Sequence, residues 1–277
     1  MDRRDLLIGI GGAAGAAAGW PAFAGRALDL GDRADFLTAC IKMRGSLDDR
    51  LSVGWVIGTR YAVVEHRAIP MMGLMAATLT RYRRIRDDAY EASALEIAYF
   101  TDLAERRLLE TWQNPVTGST VDVPMTRMGP SKFVVTADGL TLQMAAGEAR
   151  GLELHHRFDP AVVRGDDVWI TEVIGAGSSP APGARPFVYN EMTTYHATMS
   201  DLADPAQPMV PTDVSFHGLV TFRPWMGFGD TPGHTTAHGA GARSARMEDL
   251  PAYWLELTEL YHADVLDDPL RALGGGK

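Results

Sequence analysis

The sequence contains a single cysteine, Cys40, among 277 residues. An internal disulfide needs two cysteines, and zinc sites or iron–sulfur clusters built on cysteine need more than one. All of these are therefore excluded within this chain. Cys40 lies in an apolar helical pattern, which predicts a small core residue rather than a reactive thiol.

The chain also lacks an excess of positive charge, with 26 lysines and arginines against 35 acidic residues and a net charge of −9. Nucleic acids and anionic membrane surfaces attract basic proteins, so neither is expected as a partner. A phosphate-binding loop, a dinucleotide fingerprint and a Gly-x-Ser-x-Gly elbow are all absent from the sequence. Nucleotide hydrolysis and hydride transfer on a dinucleotide are therefore not expected.

No long, strongly apolar run is present either. The uncharged segment 6–25 is mostly Ala and Gly and is interrupted by Pro21, which is poor material for a span of about 20 residues. Arg3-Arg4 before it and Ala22-Phe23-Ala24 at its end instead form the pattern of a cleavable export signal. We predict a twin-arginine signal over residues 1–24, with an ordinary secretory signal as the alternative. This implies transport by the twin-arginine machinery, a periplasmic or secreted protein, and no stable membrane insertion.

Residues 25–277 are predicted to form one β-rich domain. Period-two alternation and turn signals between 51 and 223 indicate many short antiparallel strands, and therefore a lipocalin-like barrel or a sandwich. Helical patterns flank the strands at 32–43, capped by Asp32, and at 249–262, capped by Asp249. We expect the second helix to cover a barrel opening or a sheet edge. Loops are predicted at 175–186, 200–212 and 224–243, the last of them rich in Gly and His.

Three stretches resemble one known family. Lys42-Met-Arg-Gly-Ser-Leu-Asp48, Thr111-Trp-Gln-Asn-Pro-Val-Thr-Gly118 and Phe222-Arg-Pro-Trp-Met-Gly-Phe-Gly-Asp230 are similar to the domain-of-unknown-function 1838 family, over nearly all of the mature chain. The resemblance implies an exported bacterial protein, in agreement with the signal. It implies no particular reaction and no catalytic residue.

The predicted strand 187–199 carries polar side chains on both faces. Alternation places Tyr189, Glu191 and Tyr195 on one face and His196 on the other. A carboxyl group beside two phenols can perform acid–base chemistry if burial raises its pKa, and histidine titrates near neutral pH. The alternative is a solvated outer face with scattered buried hydrogen bonds.

The predicted strand 214–223 and its preceding residues place Asp213, His217 and Arg223 on one face. Asp213 and His217 are about 13 Å apart along a strand and cannot pair directly, but His217 can meet a carboxylate from a neighbouring strand. Arg223 is a candidate for holding an anionic group. Because of the alternation, the catalytic candidates Glu191, Tyr195, His196, His217 and Asp213 cannot all face one cavity.

The loop after this strand contains the large apolar residues Trp225, Met226 and Phe228. They can line the mouth of a pocket and contact a ligand together with Tyr189 and Arg223, or they can plug one end of the barrel. The two roles are compatible.

Histidines supply a weaker hypothesis of a metal site. His155 and His156 are adjacent and must point to opposite faces, so only one of them can join His196 and His217. His234 and His238 have the spacing of a helical metal pair but lie in the Gly-rich segment. No cofactor is predicted, and a metal is a minor alternative.

Three functions remain open at this point. The first is a cofactor-free lyase, isomerase or hydratase acting on a small apolar or aromatic molecule in the barrel. The second is a periplasmic carrier that binds such a molecule without chemistry, and the third is a His-ligated metal enzyme. The identity of the ligand and the oligomeric state do not follow from the sequence.

Overall fold

The structure, a computed structural model, describes residues 28–143, 152–178 and 187–274. The predicted signal over 1–24 lies outside the described residues. Four α-helices are present in the described ranges: α1 (Arg33–Arg44), α2 (Met199–Ala203), α3 (Ala252–Asp267) and α4 (Pro269–Ala272). Two short 3₁₀ helices span Pro224–Met226 and Met247–Asp249. The strands are β1 (Leu51–Val64), β2 (Arg67–Arg86), β3 (Ala89–Thr101), β4 (Thr111–Gln113), β5 (Thr120–Asp122), β6 (Thr126–Thr136), β7 (Gly139–Gln143), β8 (Leu152–Phe158), β9 (Val162–Arg164), β10 (Asp167–Ser178), β11 (Phe187–Thr198), β12 (Thr212–Thr221) and β13 (His234–Ser244).

The strands form an antiparallel, nearly closed barrel. Their order around the sheet is β7-β6-β3-β2-β1-β13-β12-β11-β10-β8, with β9 added to β10 and β4–β5 forming a separate hairpin. The two ends of this order meet again, because the backbone N–H of Leu140 on β7 donates to Nδ1 of His156 on β8 at 2.9 Å. The prediction of a mainly β, antiparallel barrel with helices towards both ends of the chain is confirmed, and the sandwich alternative is not formed.

The predicted loop 224–243 is wrong over its second half, because residues 234–244 form β13 between β1 and β12. The glycines that suggested a loop allow neighbouring backbones to approach closely. A Cβ at Gly241 would lie 1.6 Å from the carbonyl oxygen of Trp55, and one at Gly58 would lie 2.1 Å from that of His238. His234 and His238 are consequently about 13 Å apart along a strand rather than on one turn of a helix.

Two other predicted loops are partly regular. Residues 175–178 extend β10, while 179–186 lie outside the described residues. Residues 199–203 form α2, and β12 already begins at Thr212.

Helix α1 closes one end of the barrel. The predicted cap is confirmed, since the Asp32 carboxylate accepts hydrogen bonds from the backbone N–H groups of Ala34 and Asp35. The helix packs against inward-facing side chains on both sides of the barrel, in two hydrophobic clusters. It therefore buries residues around most of its last two turns, including Lys42, whose ammonium group donates to the carbonyl oxygen of Leu202 at 2.7 Å.

Helix α3 packs on the outer face of β1, β2 and β3, so the expectation that it covers an opening or an edge is wrong. Trp254 is fully buried there, and its indole N–H donates to the carbonyl oxygen of Ile97 at 3.1 Å. Asp249 precedes the helix without capping it, because its carboxylate pairs with Ser244 and Arg246. None of the helices among the described residues is both long and apolar enough to cross a membrane.

The loop after β12 closes the barrel end opposite α1. The β4–β5 hairpin fixes it: the Asn114 side-chain amide donates to the carbonyl oxygen of Met226 at 2.9 Å, and the Thr117 hydroxyl donates to that of Gly227 at 3.0 Å. The rings of Phe222 and Phe228 stack with their centroids 3.6 Å apart. The stretches that resemble the family thus lie at both ends: 42–48 with α1, and 111–118 together with 222–230 at the opposite end.

Candidate active site in the barrel lumen

The lumen is the space enclosed by the inward-facing side chains of the barrel strands. Strand register decides which side chains these are: Glu191 lies opposite Gly218 on β12, Gly218 opposite Ala237 on β13, and Ala237 opposite Arg60 on β1. The same reasoning continues around the sheet. The polar inward-facing residues include Arg60, Tyr82, Glu96, His156, Glu172, Tyr189, Glu191, Thr193, Tyr195 and Arg243.

Several of these side chains remain partly exposed although they point into the barrel. Arg60, Glu96, Glu191 and Arg243 are all of intermediate exposure. Side chains that face inward can reach solvent only within the barrel, so the lumen contains open space beside them. This space adjoins charged groups rather than a uniformly apolar wall.

Glu172 is the centre of a hydrogen-bond network at the α1 end of the lumen. One carboxylate oxygen forms an ion pair with Arg44 Nη2 at 2.9 Å and accepts a hydrogen bond from His156 Nε2 at 2.6 Å, and the other accepts one from the Tyr195 hydroxyl at 2.8 Å. Burial alone would raise the pKa of Glu172, but the charge of Arg44 and the other donors hold this pKa at about 2. Glu172 is therefore a fully partnered, ionised carboxylate.

The hydrogen bonds of His156 define its tautomer. Its Nδ1 accepts a hydrogen bond from the Leu140 backbone N–H, so the ring proton is on Nε2 and is donated to Glu172. The side chain is completely buried. His156 thus joins β8 to β7 where the barrel closes and orients Glu172, and its second nitrogen is not available to a metal ion in this arrangement.

Glu191 lies further along the lumen with fewer partners. The Tyr189 hydroxyl donates to one of its carboxyl oxygens, and the Thr193 hydroxyl donates to the other at 2.6 Å. Burial raises the pKa of Glu191, and the two hydroxyl donors only partly oppose this rise. Burial also raises the pKa of Tyr189, and the neighbouring Glu191 charge raises it further, so this phenol keeps its proton.

Glu96, on β3, is the least partnered carboxyl group of the lumen. Within the described parts of the chain, no side chain forms a hydrogen bond with it. Burial raises its pKa to about 7, and the Glu191 charge adds to this while Arg243 and Arg60 oppose it. Glu96 therefore titrates near neutral pH beside a second carboxyl group, as an acid–base catalyst requires.

Two arginines face this carboxyl pair with unused donors. Among the described residues, Arg60 Nε and Arg243 Nη1 are buried without a hydrogen-bond partner. Arg243 lies flat across β1 because Gly54 has no side chain, and a Cβ there would be 2.5 Å from Arg243 Cδ. Buried guanidinium N–H groups are costly to leave unpaired, which is typical of a site that a ligand completes.

Of the predicted ligand-binding residues, Tyr189 and Arg223 lie together near the far end of the lumen. The Arg223 guanidinium is 4.5 Å from the centroid of the Phe187 ring. Met226 and Phe228 are buried in the plug, whereas Trp225 is partly buried and contacts Phe100 at a ring distance of 5.4 Å. The plug role is therefore observed for Met226 and Phe228, and Trp225 is the one placed beside a lumen-facing aromatic ring.

The other catalytic candidates lie outside the barrel. His196 Nε2 is 2.8 Å from Asp167 Oδ1, its Nδ1 is 3.6 Å from Asp213 Oδ2, and its ring stacks on Trp169. His217 is exposed and its ring centroid is 6.5 Å from that of His238. The structure thus places Glu191 and Tyr195 in the lumen and His196, Asp213 and His217 on the outer surface. This agrees with the alternation along the strands, which does not allow all five residues to face one cavity.

The histidines considered for metal binding do not converge. His156 faces the lumen, while His155, His196 and His217 are on the outside. Across residues 28–143, 152–178 and 187–274, no group of three or more His, Cys, Asp or Glu side chains is placed to hold a metal ion.

Sequence reasoning missed Glu96, Glu172, Arg60, Arg243 and Arg44. A signal for the two glutamates does exist. Each is a charge beside large apolar residues in the interior of a strand, at Leu95-Glu96-Ile97 and at Glu172-Val173-Ile174, whereas the other acidic residue of each strand, Glu91 or Asp167, lies near its beginning. An isolated carboxyl group in a buried strand must be paired or functional, because its desolvation is costly.

Comparison with known protein families gives a match over part of the chain. A family model described as a protein of unknown function, DUF1838, matches residues 183–260, and the chain resembles that family there. The match contains β11, β12, β13 and the stretch 222–230, but neither 42–48 nor 111–118. No curated protein matches the chain.

Proposed function

We propose that this protein is a cofactor-free acid–base enzyme of the lyase, isomerase or hydratase type, acting on a small molecule in the lumen. The observation that carries the proposal is the pair Glu96 and Glu191. The two carboxyl groups influence each other electrostatically, lie beside open space, and face arginines with unpaired donors. Paired carboxyl groups in unequal environments are a common basis for acid–base catalysis.

Each group has a distinct role in this proposal. Glu96 accepts a proton from a carbon acid or from water, because it titrates near pH 7 and no described side chain is hydrogen-bonded to it. Glu191 is held in place by Tyr189 and Thr193 and stores or returns the proton. Arg243 stabilises the negative charge that develops on the substrate.

Proton exchange with solvent tests the chemistry without knowledge of the natural substrate. Neutral and anionic small molecules with an acidic C–H bond would be incubated with the exported protein in D₂O, and deuterium incorporation followed by NMR. We expect exchange with at least one compound class, rising with pH through a midpoint near 7 as Glu96 ionises. Glu96→Gln and Glu191→Gln should abolish it while the proteins remain folded.

His196→Ala is the matched control, because His196 lies on the outer surface and should leave exchange unchanged. Exchange that persists in both glutamine variants, or that is lost in His196→Ala, would contradict the proposed site.

A carrier without chemistry is the second candidate. The unpaired N–H groups of Arg60 and Arg243 favour it, because they fit a bound ligand whether or not a reaction follows. Saturable binding of a small molecule without any deuterium exchange would support the carrier function over the enzyme.

We further propose that the protein acts in the periplasm or outside the cell after twin-arginine export. This rests on the residue pattern 1–24. Fusion of residues 1–24 to a reporter that folds before transport tests it, with Arg3-Arg4→Lys-Lys as the variant expected to block export.

A further inference from the structure

Guanidinium groups outnumber ionised carboxylates in the lumen, although the chain as a whole carries a net charge of −9. Arg44 is balanced by Glu172, which leaves Arg60, Arg223 and Arg243 opposite Glu96 and Glu191. Because the pKa of Glu96 is raised to about 7, this pair carries less than its full charge near neutral pH. A lumen with surplus positive charge favours an anionic ligand.

Arg60 is the best placed of these arginines to bind one. Its only described side-chain hydrogen bond is from Nη1 to the Thr235 hydroxyl at 3.3 Å, and its Nε is buried without a partner. Burial lowers the pKa of Arg60 to about 10, and the nearby Arg223 charge contributes to this while Tyr189 and Glu96 oppose it. Arg60 and Arg223 interact electrostatically, and among the described residues neither forms an ion pair with a carboxylate, so together they form an incomplete ion cluster.

The surroundings of this cluster are aromatic. The Arg60 guanidinium is 5.4 Å from the centroid of the Phe100 ring, which in turn contacts Trp225, and Arg223 lies over Phe187. Phe216, on β12, is only partly buried in the same hydrophobic cluster. A ligand whose negative group reaches Arg60 therefore has aromatic side chains available for an apolar body.

We propose that the lumen binds a small aromatic carboxylate, with its carboxylate group between Arg60 and Arg223 and its ring against Phe100 and Trp225. Two planar guanidinium groups match a planar carboxylate, and the aromatic neighbours contribute contacts that an inorganic anion cannot use. This inference deepens the proposed function and rests on it for the choice of site, since the ligand class is assigned to the same lumen.

Benzoate is the probe for a binding test by calorimetry on the exported protein, compared with benzamide, which has the same shape without the charge, and with inorganic phosphate. We expect benzoate to bind at least roughly tenfold more tightly than either, as charge-assisted hydrogen bonds to arginine require. Equal affinity for benzamide, tighter binding of phosphate, or no binding of benzoate would each overturn the proposal.

Arginine variants test whether benzoate binds at the proposed position in the lumen. Arg60→Gln and Arg223→Gln should each weaken benzoate binding by roughly tenfold or more, whereas Arg164→Gln, an exposed arginine on β9, should not. If either lumen variant does not fold, Arg60→Lys and Arg223→Lys keep the charge but lose the fork geometry, and we expect them to weaken benzoate more than benzamide. Affinities unchanged in all folded lumen variants would place the benzoate elsewhere and overturn the inference.

The two proposals fail in distinguishable ways. Benzoate binding that depends on Arg60, without deuterium exchange on any compound, would support the ligand class and contradict the enzyme. Exchange that occurs only on neutral compounds and is unaffected by Arg60→Gln would support the enzyme and contradict the ligand class.

Discussion

Two glutamates in different parts of the lumen, Glu172 and Glu96, have pKa values shifted in opposite directions. At the α1 end, Glu172 forms an ion pair with Arg44 and accepts hydrogen bonds from His156 and Tyr195, and its pKa is about 2 although burial acts to raise it. Further along, Glu96 has a pKa of about 7, because burial and the Glu191 charge prevail over two arginines. Burial acts to raise the pKa of both carboxyl groups, so the number and placement of donors decide the sign of the shift.

This difference separates a structural role from a functional one. Glu172, whose two carboxylate oxygens both have partners, joins α1, β8, β10 and β11, and its disruption costs stability. A carboxyl group without its own donors is destabilising in its ionised form and is available for chemistry. Destabilising groups of this kind are typical of functional sites in otherwise well-packed proteins.

The largest effect is expected from removing the negative charge at the α1 end. Glu172→Gln leaves Arg44 buried without a counter-charge, so the free energy of unfolding should fall by about 3 to 5 kcal/mol. Urea unfolding of the variant and the parent protein measures this. Asp138→Asn, which breaks the exposed ion pair with Arg33, is the control and should change little. A loss as small as the control's would mean that Glu172 is not the organising centre.

A smaller effect, of opposite sign, is expected from Glu96→Gln. The folded-state pKa of Glu96 is raised from 4.5 to about 7, so its protonated form stabilises the fold below pH 4.5 and this contribution is lost as the pH rises through 7. The variant should therefore be more stable than the parent at pH 8, by up to about 3 kcal/mol, and nearly equal to it at pH 4.5.

Unfolding of both proteins at several values between pH 4.5 and 8 measures the difference. Glu259→Gln, at an exposed position on α3, serves as the control and should give parallel curves. A difference between Glu96→Gln and the parent that stays constant across this range would show that Glu96 does not titrate in it.

The smallest effect is expected from Tyr189→Phe. Loss of the hydroxyl donor removes one of the two hydrogen bonds that lower the pKa of Glu191, so this pKa should rise further. Carbon-detected NMR titration of the glutamate carboxyl groups measures the shift. Tyr261→Phe, on the outer side of α3, is the control, and a fall in the Glu191 pKa would contradict the hydrogen-bond direction.

Local chemistry in the sequence was sufficient to predict several structural features. Asp32 caps α1 because a carboxylate at that position satisfies free N–H groups whatever the tertiary fold. Alternation in β11 correctly separated Glu191 and Tyr195 from His196, because the period of a strand is fixed at two residues. It also identified Tyr189, Glu191 and Tyr195 as members of one face.

Other features depended on partners distant in sequence. The glycines of β13 indicate a loop when considered alone, and only the close approach of the Trp55 carbonyl oxygen explains them in a central strand. Asp249 has the sequence position of a helix cap, yet Ser244 and Arg246 compete for its carboxylate. Arg44 lies at the end of α1 and is paired with Glu172, which is 128 positions later in the chain.

The sequence by itself determined the antiparallel β class, the terminal helices and the facing of side chains within strands such as β11, because these follow from local periodicity and capping. Only the tertiary structure decided which faces enclose the lumen and how the barrel closes. It also decided that Glu172 is fully partnered while Glu96 is not. The physical reason is that the charge state of a buried carboxyl group depends on donors brought to it by other strands, and barrel closure sets their positions.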